Sequence, residues 1–274
     1  LRGMGLLCAQ AKAQGKRKVV CPSAGNAGFA TAVAAATLGL KACIVVPHTT
    51  PEATRARIRK TGAEVIVHGK VWDDANQKAM ELAQGAHTEY VPAFDHPVLW
   101  EGHSSIIDEI LEDCPQVDTL VTSVGGGGLL AGILTGLIRH GRMDCRIVAC
   151  ETQGAASFSA ALAAGHPVRL PRIDTVATSL GAAQVAAWPV QHIHDFAHQC
   201  VVLSDDEAIM GVVRYANDLR QLVEPACGVS LAIGYLDHPA IADARDVVIV
   251  VCGGVNISAQ KVAGWARLST ASEK

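Results

Sequence analysis

The fold of this chain is constrained most by a repeated alternation of short β-branched runs with longer helical stretches. The apolar runs lie at 18–21, 42–46, 64–67, 118–123, 146–150 and 247–252. The helical stretches lie at 28–38, 51–61, 73–84, 104–112, 129–139 and 205–219. Strands that are apolar on both faces and separated by helices are typical of parallel sheets covered by helices. We therefore predict an open α/β fold with parallel sheets.

A break between residues 92 and 101 divides this alternation into two series. Pro92, Asp95, His96 and Pro97 interrupt the helical pattern, and a new series of strands and helices follows them. We predict a two-lobe protein with a small domain at 8–97 and a large domain at 98–274, and we expect residues 1–7 to belong to the large domain. A chain of 274 residues that is 50% hydrophobic can bury two such cores.

Charge and cysteine usage exclude several classes of protein. The net charge of −3 argues against a nucleic-acid partner, and no apolar run reaches the roughly 18 residues of a membrane helix. The nine cysteines form no C-x-x-C pair, and Cys21, Cys150 and Cys252 end apolar runs. Such cysteines behave as small hydrophobic residues in a reducing compartment. We therefore expect free thiols, a cytoplasmic location and no membrane partner.

The segment Ser23-Ala24-Gly25-Asn26-Ala27-Gly28 follows a predicted strand and opens a predicted helix. A turn of small residues in this position presents free N–H groups and the positive end of the helix dipole. Ser23 and Asn26 add side-chain donors. The segment is a candidate anion site, although an ordinary strand–helix turn has the same pattern.

Glycines dominate a second connection of this kind, Gly125-Gly126-Gly127-Gly128-Leu129. Four consecutive glycines lose much backbone entropy on folding, which favours a loop whose backbone wraps a ligand. Successive N–H groups there can surround a phosphate. The loop matches neither a P-loop nor a dinucleotide-binding motif. A third motif, Cys252-Gly253-Gly254, ends a strand where ligands bind in open α/β sheets, although a buried structural cysteine is the simpler interpretation.

Two anion sites and a strand-end cysteine suit a ligand with a phosphate at one end and a carboxylate at the other. The chain as a whole resembles the liver-type L-serine dehydratases, which are pyridoxal-phosphate (PLP) enzymes of fold type II in the tryptophan synthase β superfamily. The motifs that carry the resemblance are Leu1-Arg2-Gly3, Ser23–Gly28, Val45-Val46-Pro47, Trp100-Glu101-Gly102-His103, Gly125–Gly128, Glu151-Thr152, Glu224-Pro225-Ala226-Cys227-Gly228 and Cys252-Gly253-Gly254.

The resemblance implies roles for individual residues around PLP. It implies that Asn26 contacts the 3′-oxygen and that Cys252, with Gly253, meets the pyridine nitrogen. The cofactor phosphate is expected at Gly125, Gly126, Gly127, Gly128 and Leu129. The substrate carboxylate is expected at Ser23, Ala24, Gly25, Asn26 and Ala27. The Schiff-base lysine is expected immediately before Leu1, and Lys12, Lys16 and Lys18 are expected to be solvated.

The resemblance further implies α,β-elimination of water from L-serine, and from L-threonine, to give pyruvate or 2-oxobutanoate and ammonia. A homodimer and a monovalent cation, K⁺, are expected. The cation ligands are expected to be backbone oxygens of Gly125, Ala155, Leu180 and Ala182 with the side chains of Glu151 and Ser157, which suit a hard ion. A catalytic acid–base role for Glu151 stays open, as does a plain helix cap.

Several alternatives remain within and outside this resemblance. Serine racemases carry Ser where this chain has Ala24, threonine dehydratases carry a regulatory domain and Ser at the ring nitrogen, and cysteine synthases have a different first turn. A PLP-binding protein without catalysis is the alternative from another class. His192, His194 and His198 could form a metal cluster, but solvated surface histidines are favoured, and His103 is expected to be structural.

Overall fold

The computed structural model describes residues 1–272, with side chains for residues 1–267, and contains two four-stranded sheets. Every recorded strand pair in these residues is parallel. The predicted open α/β fold with parallel sheets is therefore confirmed. The chain divides into two compact units, of which the first is Leu1–His103 and the second begins at Ser104. Within the described residues, no helix is both long and apolar enough to cross a bilayer.

Unit 1 is a sheet with helices on both faces. Its strands are β1 (Lys18–Cys21), β2 (Lys41–Val46), β3 (Glu64–Val67) and β4 (Thr88–Tyr90), in the order β3-β2-β1-β4. Its helices are α1 (Arg2–Ala13), α2 (Asn26–Leu38), α3 (Glu52–Arg59) and α4 (Trp72–Leu82). Because side chains alternate across a strand, Val19 and Ile44 pack with α1 and α2, whereas Val20 and Val45 pack with α4.

Unit 2 repeats the same layering on a larger scale. Its strands are β5 (Thr119–Ser123), β6 (Arg146–Thr152), β7 (His198–Leu203) and β8 (Val247–Ile249), in the order β7-β6-β5-β8. Its helices are α6 (Gly128–Arg139), α7 (Ser157–Ala164), α8 (Ala187–His192), α9 (Asp205–Leu219), α10 (Pro225–Tyr235) and α11 (Ala259–Ser272). Leu120 and Ile147 face the core with α6, while Val121 and Val148 face the core with α10. Helix α5 (Pro97–Asp113) runs through the boundary between the units.

The first helix lies in unit 1, whereas the sequence analysis assigns residues 1–7 to the large domain. Met4 and Leu7 are buried in the core of unit 1. Gly3 packs so closely that a Cβ there would lie 2.5 Å from the Leu99 carbonyl oxygen. The unit boundary also falls inside α5, at residue 103. The limits 8–97 and 98–274 stay a prediction about domains that fold separately.

Candidate functional site

Both glycine-containing turns lie where the strand order of their sheet reverses. In unit 1 the chain runs from β1 outward to β3, and β4 then returns to the other side of β1. In unit 2 it runs from β5 outward to β7, and β8 returns beside β5. The carboxyl end of a strand at such a reversal is where open α/β sheets bind ligands. The turn after β1 and the loop after β5 are therefore the candidate ligand-binding segments.

The glycine loop after β5 offers unpaired donors. Gly127 is the N-cap residue of α6, with φ of 87°, a left-handed conformation that favours glycine. Among the described residues no acceptor is recorded for the N–H groups of Gly125, Gly126 and Gly127, and Gly127 is buried. A buried N–H without a partner is costly in a folded protein unless a ligand accepts from it. Together with the N-terminus of α6, this loop fits a phosphate group such as that of PLP.

The turn after β1 is built around Gly25, which is the N-cap residue of α2. The N–H of Gly25 donates to Ser23 Oγ at 3.2 Å, so the serine hydroxyl is held over the turn. Ala24, Asn26 and Ala27 are half-buried, and they lie at the start of α2 or just before it. The turn presents the positive end of a helix, which suits a carboxylate.

Cys252, which follows β8, is exposed and lies beside the end of β5. Its sulfur is 3.8 Å from Ser123 Oγ and is also in hydrogen-bond contact with the thiol of Cys227 in the first turn of α10. The hydrogen bond from Cys227 lowers the pKa of Cys252, although burial opposes it. The Cys252 sulfur is therefore an acceptor in this group.

Glu151 is fully buried near the end of β6 and is held by the N-terminus of α7. Its two carboxylate oxygens accept the N–H groups of Phe158 and Ser159, each at 2.8 Å, and Cys200 Sγ lies 3.6 Å away. Burial raises the pKa of Glu151 to about 7, and the two backbone hydrogen bonds lower it only in part. The arrangement places a carboxyl group that is costly to ionise deep in unit 2.

The residues expected to bind a cation are neighbours within unit 2. Ser157 Oγ lies 3.5 Å from the Gly125 carbonyl oxygen. A Cβ on Gly125 would lie 3.0 Å from Leu180 Cα, so the glycine loop packs directly on the 3₁₀ turn that contains Leu180. The Leu180 oxygen accepts from the Ala182 N–H at 2.7 Å. Ala155 is buried in the 3₁₀ turn that precedes α7.

Lys12, Lys16 and Lys18, the lysines nearest to Leu1 in the sequence, make polar contacts at the surface of unit 1. Lys12 Nζ donates to the Leu38 carbonyl oxygen at 2.7 Å, and Lys18 pairs with Glu64 at 3.1 Å. Lys16 Nζ lies 3.8 Å from Glu89. None of the three lies in the turn after β1. Their placement agrees with the expectation that they are surface charges.

The histidines near β7 have local partners. His192 stacks on Trp188 with ring centroids 4.0 Å apart, and its Nδ1 lies 2.9 Å from the Trp188 carbonyl oxygen. His194 and His198 meet edge to face at 5.4 Å. In the part of the chain that the structure describes, no group of three His, Cys, Asp or Glu residues could hold a metal ion. His103 in α5 is half-buried, and desolvation lowers its pKa to about 4.

Sequence reasoning missed Ser123 and Cys227 as members of the Cys252 group. Ser123 ends a predicted strand and Cys227 lies in a recognised motif, but their distance from Cys252 in the chain hides the contact. Glu224, buried at the N-cap of α10, was also left without a role. Its Oε2 accepts the Asn256 N–H at 3.3 Å, and a Cβ on Gly254 would lie 2.2 Å from its Cδ. The sequence did carry one signal for this arrangement. A proline such as Pro225 favours the first position of a helix, which would place Cys227 in the first turn of that helix.

Comparisons with known proteins agree with this geometry. The model of the pyridoxal-phosphate dependent enzyme family matches residues 1–253. The chain is 45% identical to the mouse serine dehydratase-like protein over 275 aligned positions, and the alignment covers 96% of this chain and 82% of that protein. It is 42% identical to human L-serine dehydratase/L-threonine deaminase over 268 aligned positions, and the alignment covers 94% of this chain and 82% of that protein. The crystal structure of L-serine ammonia-lyase from the fungus Rhizomucor miehei matches with a TM-score of 0.87 at 32% identity, over 97% of this chain and 87% of that chain.

Proposed function

The chain belongs to the family of pyridoxal-phosphate dependent enzymes, and we propose that it is a dehydratase that removes water from L-serine. The products are pyruvate and ammonia, and L-threonine gives 2-oxobutanoate in the same way. Family membership confirms the resemblance stated above and, with it, the type II fold of PLP enzymes. The similarity to proteins named L-serine dehydratase runs through nearly the whole chain, and this observation carries the proposal.

The cofactor is assigned to residues of unit 2 by the donors that they offer. The N–H groups of Gly125 to Gly128, with Leu129 in the first turn of α6, bind its phosphate. By the family resemblance, Cys252 and Gly253 would bind its ring nitrogen, and Asn26 would bind its 3′-oxygen. When bound, the cofactor supplies an electron sink for the substrate carbon that loses a proton. A sulfur at the ring nitrogen makes that sink weaker than a carboxylate would.

The turn after β1 is assigned to the substrate carboxylate. Ser23, Ala24, Gly25, Asn26 and Ala27 surround the N-terminus of α2, where the helix dipole favours an anion. Ser23 Oγ is held by the Gly25 N–H, so its own proton can be donated to the carboxylate. This turn orients the amino acid and leaves the chemistry to groups outside it.

A monovalent cation, K⁺, is assigned to the oxygen-rich region around Glu151. Backbone oxygens of Gly125, Ala155, Leu180 and Ala182 with the side chains of Glu151 and Ser157 form its ligand set. The close packing of Gly125 on both Ser157 and Leu180 supports this set. A cation there would hold the glycine loop in place and lower the cost of ionising Glu151.

Two further properties follow from the family and not from the geometry. We expect a homodimer and a cytoplasmic enzyme. All nine cysteines are free thiols, which agrees with a reducing compartment.

Ammonia release from L-serine tests the proposed function. We expect the purified protein with PLP to release pyruvate and ammonia from L-serine in equal amounts, with D-serine as the control substrate. Visible absorbance, and the intact mass before and after borohydride reduction, report separately whether PLP is bound through a lysine. A protein that binds PLP but releases no ammonia would be the non-catalytic alternative, and the dehydratase proposal would be rejected.

Ala24→Ser is expected to introduce serine racemisation. Alanine has no proton to exchange, whereas a hydroxyl on the carboxylate-binding turn can act as an acid or base on the substrate. General acid–base groups contribute about 10²-fold or more, so we expect D-serine formation to rise by about that factor. Chiral chromatography of the recovered serine measures the change. Ala27→Ser, which adds the same hydroxyl elsewhere in this turn, is the control, and equal D-serine from both variants would contradict the assignment of Ala24.

A further inference from the structure

Two cysteines from distant parts of unit 2 meet at the carboxyl end of its sheet. Cys252 follows β8, and Cys227 lies in the first turn of α10, with the two sulfurs in hydrogen-bond contact. Ser123 at the end of β5 completes the group, with its hydroxyl 3.8 Å from Cys252 Sγ. Three separate elements therefore converge on the sulfur of one exposed residue, which these contacts partly desolvate.

The backbone holds the two cysteines in this position. The Glu224 N–H donates to the Gly253 carbonyl oxygen at 2.9 Å, and the Asn256 N–H donates to Glu224 Oε2 at 3.3 Å. These bonds fasten the start of α10 to the segment that follows β8 on both sides of the cysteine pair. The backbone therefore keeps the segments that carry the two cysteines side by side.

The two thiols differ in chemical state and in access. The contact with Cys252 and the burial of Cys227 raise the pKa of Cys227 well above its ordinary value. The same contact lowers the pKa of Cys252, against the opposing effects of burial and of the Glu224 charge. Cys252 is exposed, whereas Cys114 and Cys200 are half-buried and the remaining six are buried. The lowered pKa and the exposure of the residue together favour Cys252 over the other thiols of this chain as the site of oxidation.

We propose that Cys227 and Cys252 form a reversible oxidation site, in which a peroxide converts the two thiols into a disulfide. Cys252 sulfur attacks one peroxide oxygen, the O–O bond breaks, and Cys252 becomes a sulfenic acid with release of water. Cys227 sulfur then attacks the sulfenic sulfur and displaces a second water. The two thiols give up two electrons and two hydrogens to hydrogen peroxide, and a dithiol reductant reverses the reaction by exchange.

This site competes with the cofactor if Cys252 faces the ring nitrogen, a point that rests on the proposed function. A disulfide would turn the sulfur toward α10 and away from the ligand. Bound cofactor would in turn shield Cys252 from peroxide. At a cofactor concentration about ten times its Kd, the rate of disulfide formation is expected to fall about tenfold, because only the unbound fraction reacts.

Peptide mapping by mass spectrometry tests the proposal without an activity assay. The reduced full-length protein, with and without PLP, is exposed to hydrogen peroxide, free thiols are blocked, and the digest is analysed before and after dithiothreitol. We expect a Cys227–Cys252 cross-linked peptide that disappears on reduction. Cys227→Ser is expected to leave Cys252 as a sulfenic acid that a dimedone probe captures. Cys114→Ser removes a partly accessible thiol elsewhere and is expected to leave cross-linking unchanged.

The outcomes separate the two parts of the inference. Absence of the cross-link at peroxide levels that oxidise Cys114 would overturn the oxidation site, and so would irreversible oxidation of Cys252 with Cys227 still reduced. Cross-linking at the same rate in protein shown by absorbance to hold PLP would leave the disulfide standing and reject the contact between Cys252 and the cofactor. Neither result depends on ammonia release, so failure of the dehydratase proposal is recognised separately.

Discussion

Gly127→Ala is expected to weaken PLP binding by about 10²- to 10⁴-fold and to abolish ammonia release at ordinary cofactor concentrations. Gly127 has φ of 87°, where an L-residue costs on the order of 1–3 kcal/mol. Its new Cβ would also lie 2.8 Å from Val185 Cγ2 and 2.9 Å from Pro189 Cγ, so the loop must move. Two hydrogen bonds to a charged group contribute roughly 3–6 kcal/mol, and their loss gives this range of affinity. Titration of the visible absorbance of bound cofactor measures it.

Gly141→Ala is the matched control for this change. Gly141 also has a left-handed φ, of 67°, but a Cβ there would meet nothing within 4 Å. The variant therefore carries the backbone cost without disturbing the loop. We expect both variants to lose thermal stability, and only Gly127→Ala to lose the cofactor. Parent-like PLP affinity in Gly127→Ala would show that this loop does not hold the phosphate.

The strands that contain a continuous β-branched run were predictable, whether they lie inside a sheet or, like β3, at its edge. The bounds of β1 and β3 agree with the apolar runs, and β2 and β6 differ by two residues or fewer. Strand β4 was missed because it is only the three residues Thr88–Tyr90, and β7 was missed because it begins with the polar pair His198 and Gln199. Neither strand opens with the apolar run that marks a buried strand.

Helix α10 was missed for the opposite reason. It is buried on nearly every side between β5, β6 and α9, so its sequence has no amphipathic period. Helix α9 was predicted with the observed bounds, but the sequence alone does not choose between Ser204 and Asp205 as its cap. The cap is Ser204, whose hydroxyl accepts the Glu207 N–H at 3.2 Å, while Asp205 accepts the Val176 N–H at 2.8 Å. Both residue types favour the cap position, and a tertiary contact decides between them.

The ligand-binding turns were predictable because each is a continuous stretch of sequence between a strand and a helix. The group around Cys252 was not, since its members lie 25 and 129 residues away from it along the chain. The state of Glu151 was also hidden. Its position near the end of β6 was clear from sequence, but its burial and its two N–H donors come from the packing of α7. Local patterns thus located the residues, and tertiary packing set their protonation.

Glu151 is expected to make the stability of the protein depend on pH below neutrality. Its pKa is raised to about 7 by burial, against an ordinary value of 4.5 in an unfolded chain. The folded state therefore keeps a proton that the unfolded state releases. The stability that this provides is complete below about pH 4 and is lost as pH rises to about 7, a loss of about 3 kcal/mol. A bound cation would reverse part of this loss, because it favours the carboxylate.

Glu151→Gln should remove this pH dependence, because glutamine does not titrate. The glutamine side chain keeps one oxygen acceptor for the two N–H groups, so the variant is expected to be about 1 kcal/mol less stable than the parent chain at acidic pH. Its free energy of unfolding should not fall further as pH rises. Urea unfolding from pH 4 to 8 measures the difference, with the exposed Glu112→Gln as the single-charge control.

The proposed cation site can be tested by the same unfolding measurement. Above pH 7, KCl should stabilise the parent chain more than tetramethylammonium chloride at the same ionic strength, since K⁺ fits the proposed set of oxygen ligands around Glu151 and the larger tetramethylammonium ion does not. Glu151→Gln should show no such preference, and a K⁺ effect that survives the substitution would place the cation elsewhere.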